Sequence, residues 1–457
     1  MRMSRLTMGL VVLLCGGATA VAQTHAPACQ ALSADCLLAQ AAATAETVAR
    51  SGPRDEIHFS VTTALADLGR FDDALAMTGR IGDPHTLAEA LGEIAAAAAR
   101  GGQFDRAYRI ALDIVDARAR SARVAALQAV AVEQARAGKI DAAFDTVVAI
   151  DNPYRRSEAQ AAIALAVAEA GDMPGAFRAA SRIATQYWFT SDQHQFKIAS
   201  GLVSRSGEFD QYWFYEALAG IAQLQARSGD VAGALQTAKS IPDVAGRSRA
   251  AARIASAQAR MGDLDGALAT AARVDTAYGD LDAMVAIAEA RAVAGDFAGA
   301  LDLARAIFAA YGDGSGLVAV AVQQAVHGEV AAALTTVVGI DTLEGRTRAL
   351  AGIAMALVAA ARPDAALEVV AMIPDARERS EVIRRIAVAL AGAKDAGLAL
   401  EVAARFADRR DYDDLVVAIA LAQAGAGDTD GSMSTALRLD DGMHRAIAMA
   451  GIARFIR

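Results

Sequence analysis

The sequence predicts an all-α fold, a solenoid of about eleven 33-residue helix-turn-helix repeats that is interrupted near residues 187–215. Three observations predict it. Of the 457 residues, 54% are hydrophobic yet only 5% are aromatic, so the apolar excess is small side chains, above all Ala, the best helix former. Only 8 Pro interrupt the helices. Glycine then recurs as Gly69, Gly102, Gly138, Gly171, Gly229, Gly262, Gly295, Gly328 and Gly427, with a step of 33 from Gly229 onward and Ala361 and Lys394 filling two slots.

The first stretch reads as an export signal over residues 1–22. Arg2 and Arg5 form a basic start, Leu6 to Leu14 an apolar run, and Ala20-Val21-Ala22 a small-residue cleavage site. The expected compartment is the periplasm, with secretion as the alternative. No later segment stays apolar long enough to span a membrane. Residues 23–54 hold Cys29 and Cys36. An exported chain with two cysteines suggests a disulfide. Both cannot sit in one helix, where seven residues of rise would part their Cα atoms by about 10 Å. Ser33 is placed to N-cap a helix beginning near Ala34.

Two repeat arrays follow, over residues 55–190 and 216–442. Eight residues before each Gly slot stands a branched apolar residue, from Val61 and Ile94 through Ile386 and Ile419. Ala follows it in every copy but the first. Five residues after the slot comes Ala, from Ala74 to Ala399, with Ser432 in the last copy; twelve after it comes a large apolar residue, such as Ile81 or Ile241. Each unit therefore reads as a helix, a tight turn and a second helix. Gly permits the left-handed residue that ends the first helix. The Asp that often follows, as in Asp172, Asp230, Asp263, Asp296, Asp395 and Asp428, can cap the second. Residues 443–457 repeat the first-helix pattern at Ile452-Ala453 and are expected to cap the stack.

These features resemble the tetratricopeptide family of helical repeats. The resemblance rests on the helix-turn-helix length, the small residue before the turn, and the Ala five and nine residues after it, as in Ala234 and Ala238. It covers residues 55–457. It implies a right-handed superhelix that binds proteins or peptides along its concave face, lined by the first helix of each pair. The period of 33 and the loss of the family's first-helix aromatics are departures. Late Pro stands only at Pro242 and Pro374, earlier than in the family.

The loops between repeats carry a second pattern. Asp151, Asp243, Asp341 and Asp375 each precede an Arg-Ser or Arg-Thr pair: Arg156-Ser157, Arg247-Ser248, Arg346-Thr347 and Arg379-Ser380. The Ser or Thr is placed to cap the next first helix, and the Asp and Arg to pair across the loop.

The period fails once, since Gly171 to Gly229 is 58 residues. Residues 191–215 read as an irregular joint, with Gly207 resembling a turn. The break gathers the scarce aromatics: Tyr187-Trp188-Phe189, then Tyr212-Trp213-Phe214-Tyr215. They fill a structural joint or form a recognition patch; the sequence leaves both open. Two residues before the turn, Arg100, Arg136, Arg227 and Arg260 are expected on the concave face, where they would suit an acidic peptide.

Formal charge is −9, from 44 basic and 53 acidic residues, which disfavours nucleic acid as a partner. Six scattered His and the lack of any nucleophile-elbow, zinc-protease or phosphate-loop motif give no catalytic residue, cofactor site or metal site. The expected function is therefore a non-catalytic interaction scaffold of the cell envelope. The alternative is a polysaccharide-processing enzyme on a helical toroid, with His194 near its site.

Overall fold

The computed structural model describes residues 32–116, 119–188, 206–271, 277–406 and 411–456. They form helices, with no strand among the described residues. A short α1 (Ala34–Thr47) comes first, and Ser33 Oγ accepts from Cys36 N at 3.3 Å as its N-cap. Eleven pairs follow, each a long helix and a shorter partner. They are α2/α3 (Ser51–Asp67, Phe71–Thr78), α4/α5 (Pro84–Arg100, Phe104–Leu112), α6/α7 (Arg120–Arg136, Ile140–Val148) and α8/α9 (Pro153–Glu169, Met173–Trp188). Next come α10/α11 (Ser206–Arg227, Val231–Ser240), α12/α13 (Val244–Arg260, Leu264–Ala271), α14/α15 (Ala277–Val293, Phe297–Tyr311) and α16/α17 (Ser315–Val326, Val330–Val338). The series ends with α18/α19 (Leu343–Ala359, Pro363–Ala371), α20/α21 (Ala376–Gly392, Ala396–Phe406), α22/α23 (Asp411–Gly425, Thr429–Ala436) and a lone α24 (Gly442–Ala453).

The core follows the repeat pattern. The branched residue eight before each slot is buried in all eleven copies, and so is the small residue five after it. Small residues let the paired axes approach, and the branched ones fill the space between pairs. Neighbouring long helices meet in the same register. Gly220, Gly352 and Gly451 occupy equivalent places, and a Cβ on each would collide with Leu165, Val322 or Leu421 of the preceding long helix.

The turns confirm the glycine reading. Nine turn glycines lie at φ between +74° and +92°. Ala361 and Lys394, in the same slots, are forced to φ +54° and +68°. A side chain in that region costs about 1–2 kcal/mol. Lys394→Gly is therefore expected to raise stability by about 1 kcal/mol, read as a higher Tm; an unchanged or lower Tm contradicts the strain. The turn Asp caps as expected: Asp172, Asp230, Asp263, Asp296 and Asp428 each accept from the backbone N–H three residues on. That donor residue is Gly in all five, because a Cβ there would strike the capping carboxylate.

A polar pair inside each of five repeats, buried in four and partly buried at Gln324 with Thr336, was not foreseen. Gln134, Gln225, Gln258, Gln324 and Gln423 each accept from the hydroxyl of a Thr twelve residues later, at 2.7–2.8 Å. In five of the other six repeats the two positions turn apolar together, as in buried Leu357 and Val369; the α14/α15 repeat has Arg291 with Leu303. Gln134→Leu strands the Thr146 hydroxyl and is expected to cost about 1–3 kcal/mol. Adding Thr146→Val is expected to return most of it in denaturant titrations. Additive losses would show that the pair is not coupled.

The inter-repeat loops differ from expectation. The N-caps are Asp243, Asp375, Thr342 and Asn152, not the later Ser or Thr. Ser157, Ser248 and Thr347 lie inside their helices and are buried. Among the described residues the Arg pairs with no Asp. It reaches back to the carbonyl just past the end of the preceding short helix: Arg156 to Ile150, Arg247 to Ile241, Arg346 to Ile340 and Arg379 to Ile373, at 2.7–3.0 Å. Those carbonyls lack intrahelical donors, and a cation suits that end of a helix.

The array also returns on itself. Each long helix packs on the next, from α2 to α24, and α24 packs on both α1 and α2. The last helix does not cap an open stack with a polar face. Its Ala446, Ala448, Met449, Ala450, Ile452 and Ala453 are all buried, against a core that also contains Leu37, Ala41 and Ile57. Arg454 reaches Asp67 of α2. The result is a closed ring of twelve long helices. The long helices contact each other closely around it, while each short helix packs on its own long helix and the next one. Tighter spacing belongs to the inner circumference, so the long helices line the concave side.

Candidate partner-binding face

On each long helix the residues thirteen, nine, six and two before the turn are those left wholly or partly exposed in most copies. This is an i, i+4, i+7, i+11 stripe on one helix face. Its chemistry changes around the ring. On α2 and α4 it is acidic, with exposed Glu56, Glu89 and Glu93. From α14 to α22 its last position, two before the turn, carries no charge, with Val293 54% and Val326 56% exposed.

Between these sectors α12 presents Arg249, Arg253 and Arg260 along one stripe, and Arg227 ends the adjacent α10. Glu216 of α10, 12% exposed, pairs with Arg249 at 2.8 Å and Arg253 at 2.5 Å. Two arginines share that single carboxylate. Arg227 and Arg260 are exposed, and no ion pair engages them among the described residues. The other two arginines expected here are neutralised. Arg100 pairs with Asp67 at 3.2 Å; Arg136 pairs with Glu133 at 2.7 Å and Glu169 at 3.3 Å. Basic character therefore belongs to the α10–α12 sector, not to the whole N-terminal half.

The aromatic break meets this sector. Tyr187 and Trp188 end α9, with side chains outside the described set, and Phe189 and His194 lie outside the described residues. Residues 206–215 form the first turns of α10, so Gly207 is helical, not a turn. Trp213 stacks edge-on between two tyrosines, with ring centroids 5.6 Å from Tyr154 and 5.3 Å from Tyr212. Arg155 lies 5.9 Å from the Tyr154 centroid and Arg249 5.3 Å from that of Tyr212. Tyr154 and Tyr212 are 38% and 42% exposed. Tyr215 packs instead against Phe214. Burial, with Glu216 adding to it, holds the Tyr212 phenol above its usual range. The arrangement is a shelf of rings ending in cations, set where α8 and α10 begin. Sequence reading missed Tyr154, although it occupies the same place relative to its turn as Tyr212.

A buried histidine stands where α1 meets α2. His58 of α2 is 2% exposed, beside buried Asp55, and its Nε2 lies 3.9 Å from Glu46 of α1. Arg80, 2.5 Å from Glu46, and Arg54 border the same 530 Å³ recess. Burial pushes the imidazole below its usual range, against the pull of Glu46 and Asp55. A folded-state pKa below about 6.5 means the unfolded chain takes up the proton first. Stability from neutral His58 is thus present above about pH 6.5 and lost as pH falls toward the folded value. Melting curves across that window should show the loss, and His58→Phe should flatten it; an unchanged slope contradicts it.

No protein-family model and no curated protein matches the chain. Two solved structures are similar in part. One is the crystal structure of Ton1535 from Thermococcus onnurineus NA1, at 18% identity and a TM-score of 0.23, covering 71% of this chain and 97% of that one. The other is described as a circular tandem repeat protein with novel repeat topology and enhanced subunit contact surfaces, at 15% identity and a TM-score of 0.18, covering 89% and 86%. Among the described residues no helix is long and apolar enough to cross a membrane.

Proposed function

We propose that the protein is a non-catalytic interaction scaffold, tetratricopeptide-like in its repeat, that holds a protein or peptide partner on its concave face. The observation that carries this reading is the α10–α12 sector. Two arginines with no ion pair among the described residues, two more sharing one carboxylate, and a shelf of half-exposed rings converge there. Arg and Tyr or Trp are the side chains that most often dominate partner binding. Cationic donors suit carboxylates. The partner is accordingly an acidic segment, with apolar side chains for the shelf and for the Val293–Val326 side. Residues 1–22 support export to the periplasm or beyond, and Cys29 with Cys36 support a disulfide that ties the segment ahead of α1 to its first turn.

Binding of a fluorescent Glu- and Tyr-containing peptide tests the reading. Affinity should fall as ionic strength rises. Equal binding of a neutral peptide, with no salt dependence, would count against it. The alternative, a polysaccharide-processing enzyme, predicts turnover of an envelope polysaccharide that His194→Ala abolishes.

A further inference from the structure

The ring closes in a specific way. α24 has the first-helix pattern, and the short-helix place beside it is filled from elsewhere in the sequence. Its partner is α1, from the other end of the chain. α1 carries the second-helix register. Ala41 precedes Ala74 by 33 residues, as Ala74 precedes Ala107, and Ala41 and Ala45 are fully buried like other residues five and nine after a turn. Val48 precedes Val61 by 13, as Ile81 precedes Ile94. The twelfth repeat is therefore assembled from both ends of the chain.

Among the described helices, every other step from one helix to the next around the ring is crossed by covalent backbone. The step from α24 to α1 is held by side chains alone: Leu37, Leu38, Ala41 and Ala45 pack against α24 and α2, with ion pairs at the rim. Arg454 with Asp67 ties α24 directly to α2. The remaining ties, Asp35 with Arg70 and Glu46 with Arg80, hold α1 to the α2/α3 side. An opening would thus part α24 from α1 and α2 together.

Closure limits what can reach the concave face. An even ring of twelve helices at about 9 Å spacing leaves an opening on the order of 20–25 Å. That admits an extended chain or one helix of about 10–12 Å, but not a folded domain of about 30 Å. Given the acidic-segment reading above, on which this rests, we propose that the seam between α24 and α1/α2 opens to load a polypeptide segment sideways, and that closure then encircles it. The occupant is a single extended or helical segment of a partner protein.

Thr44→Cys with Gly442→Cys places a lock across the seam, because a Cβ on Gly442 would lie 3.7 Å from Thr44 Cγ2. The probes are an acidic peptide of about twenty residues, about 65 Å when extended, and the same peptide fused between two folded domains. Wild type given the same oxidant and reductant is the control. The free peptide should bind locked and unlocked rings equally, by threading. The flanked peptide should bind the reduced variant as it binds wild type, and lose at least tenfold in apparent affinity when the lock is oxidised. Equal binding of the flanked peptide to locked and open rings overturns side loading while leaving the acidic-segment reading intact. Failure of both peptides on wild type removes that reading and this proposal together.

Discussion

Leu37→Ala is expected to cost about 2–5 kcal/mol, the usual range for truncating a fully buried leucine. Leu37 is 0% exposed in the core shared by α1, α2 and α24. The loss should fall unevenly. Repeat arrays gain stability from each neighbour interface, so weakening this one converts a ring with no ends into a stack with two. Hydrogen exchange should accelerate first in α1, α2 and α24, and limited proteolysis should cut near residues 48–50, the link between α1 and α2. The same truncation at Ile254, equally buried within α12, removes comparable apolar area but leaves the ring closed. Its exchange increase should stay near α12. Identical exchange patterns for the two variants would mean that α1 holds nothing together.

Charge reversal at Arg227 and Arg260 is the second large effect. Hydrogen bonds to charged groups contribute about 1.5–3 kcal/mol each. Losing two should weaken the acidic peptide on the order of 100-fold or more, with the remaining affinity less sensitive to salt. Both side chains are exposed and carry no ion pair among the described residues, so the melting temperature should hold. Arg100→Glu with Arg136→Glu is the matched comparison. Those arginines neutralise Asp67, Glu133 and Glu169. Their reversal should lower stability by placing like charges together and change peptide affinity far less. An equal loss of affinity from both pairs would return the binding site to the whole N-terminal arc.

The fold was legible because the signals that determine it are local and repeated. Gly with Ala five residues later, and Ile eight before, dictates a tight turn and two close helices in every copy. The turn Asp was legible for the same reason. Other features depend on pairs that periodicity does not display singly. The Gln–Thr bonds become visible only when two columns twelve residues apart are compared, as with Gln225 and Thr237. The loop Arg was seen but given the wrong acceptor, because a helix-end carbonyl has no side-chain signature. Along the stripe, Arg100 and Arg260 look alike in sequence. The acids on neighbouring helices separate them, and those neighbours lie 33 residues away. Closure had a sequence signal as well, in Ala41 and Ala45 ahead of the first Gly slot. A repeat counted from its long helix leaves those two residues outside the series, because the first described helix is a short one.

The claim from which the rest follows is that α24 and α1 form one repeat and close the ring. Small-angle X-ray scattering tests it most directly. A closed ring of twelve pairs has a greatest dimension of about 70 Å and a pair-distance distribution with few short central vectors, given helix layers about 10 Å apart. That is the predicted result for the full chain, and Leu37→Ala should extend it. A wild-type particle longer than about 100 Å, as twelve repeats stacked at about 9–10 Å in an open solenoid would give, contradicts it.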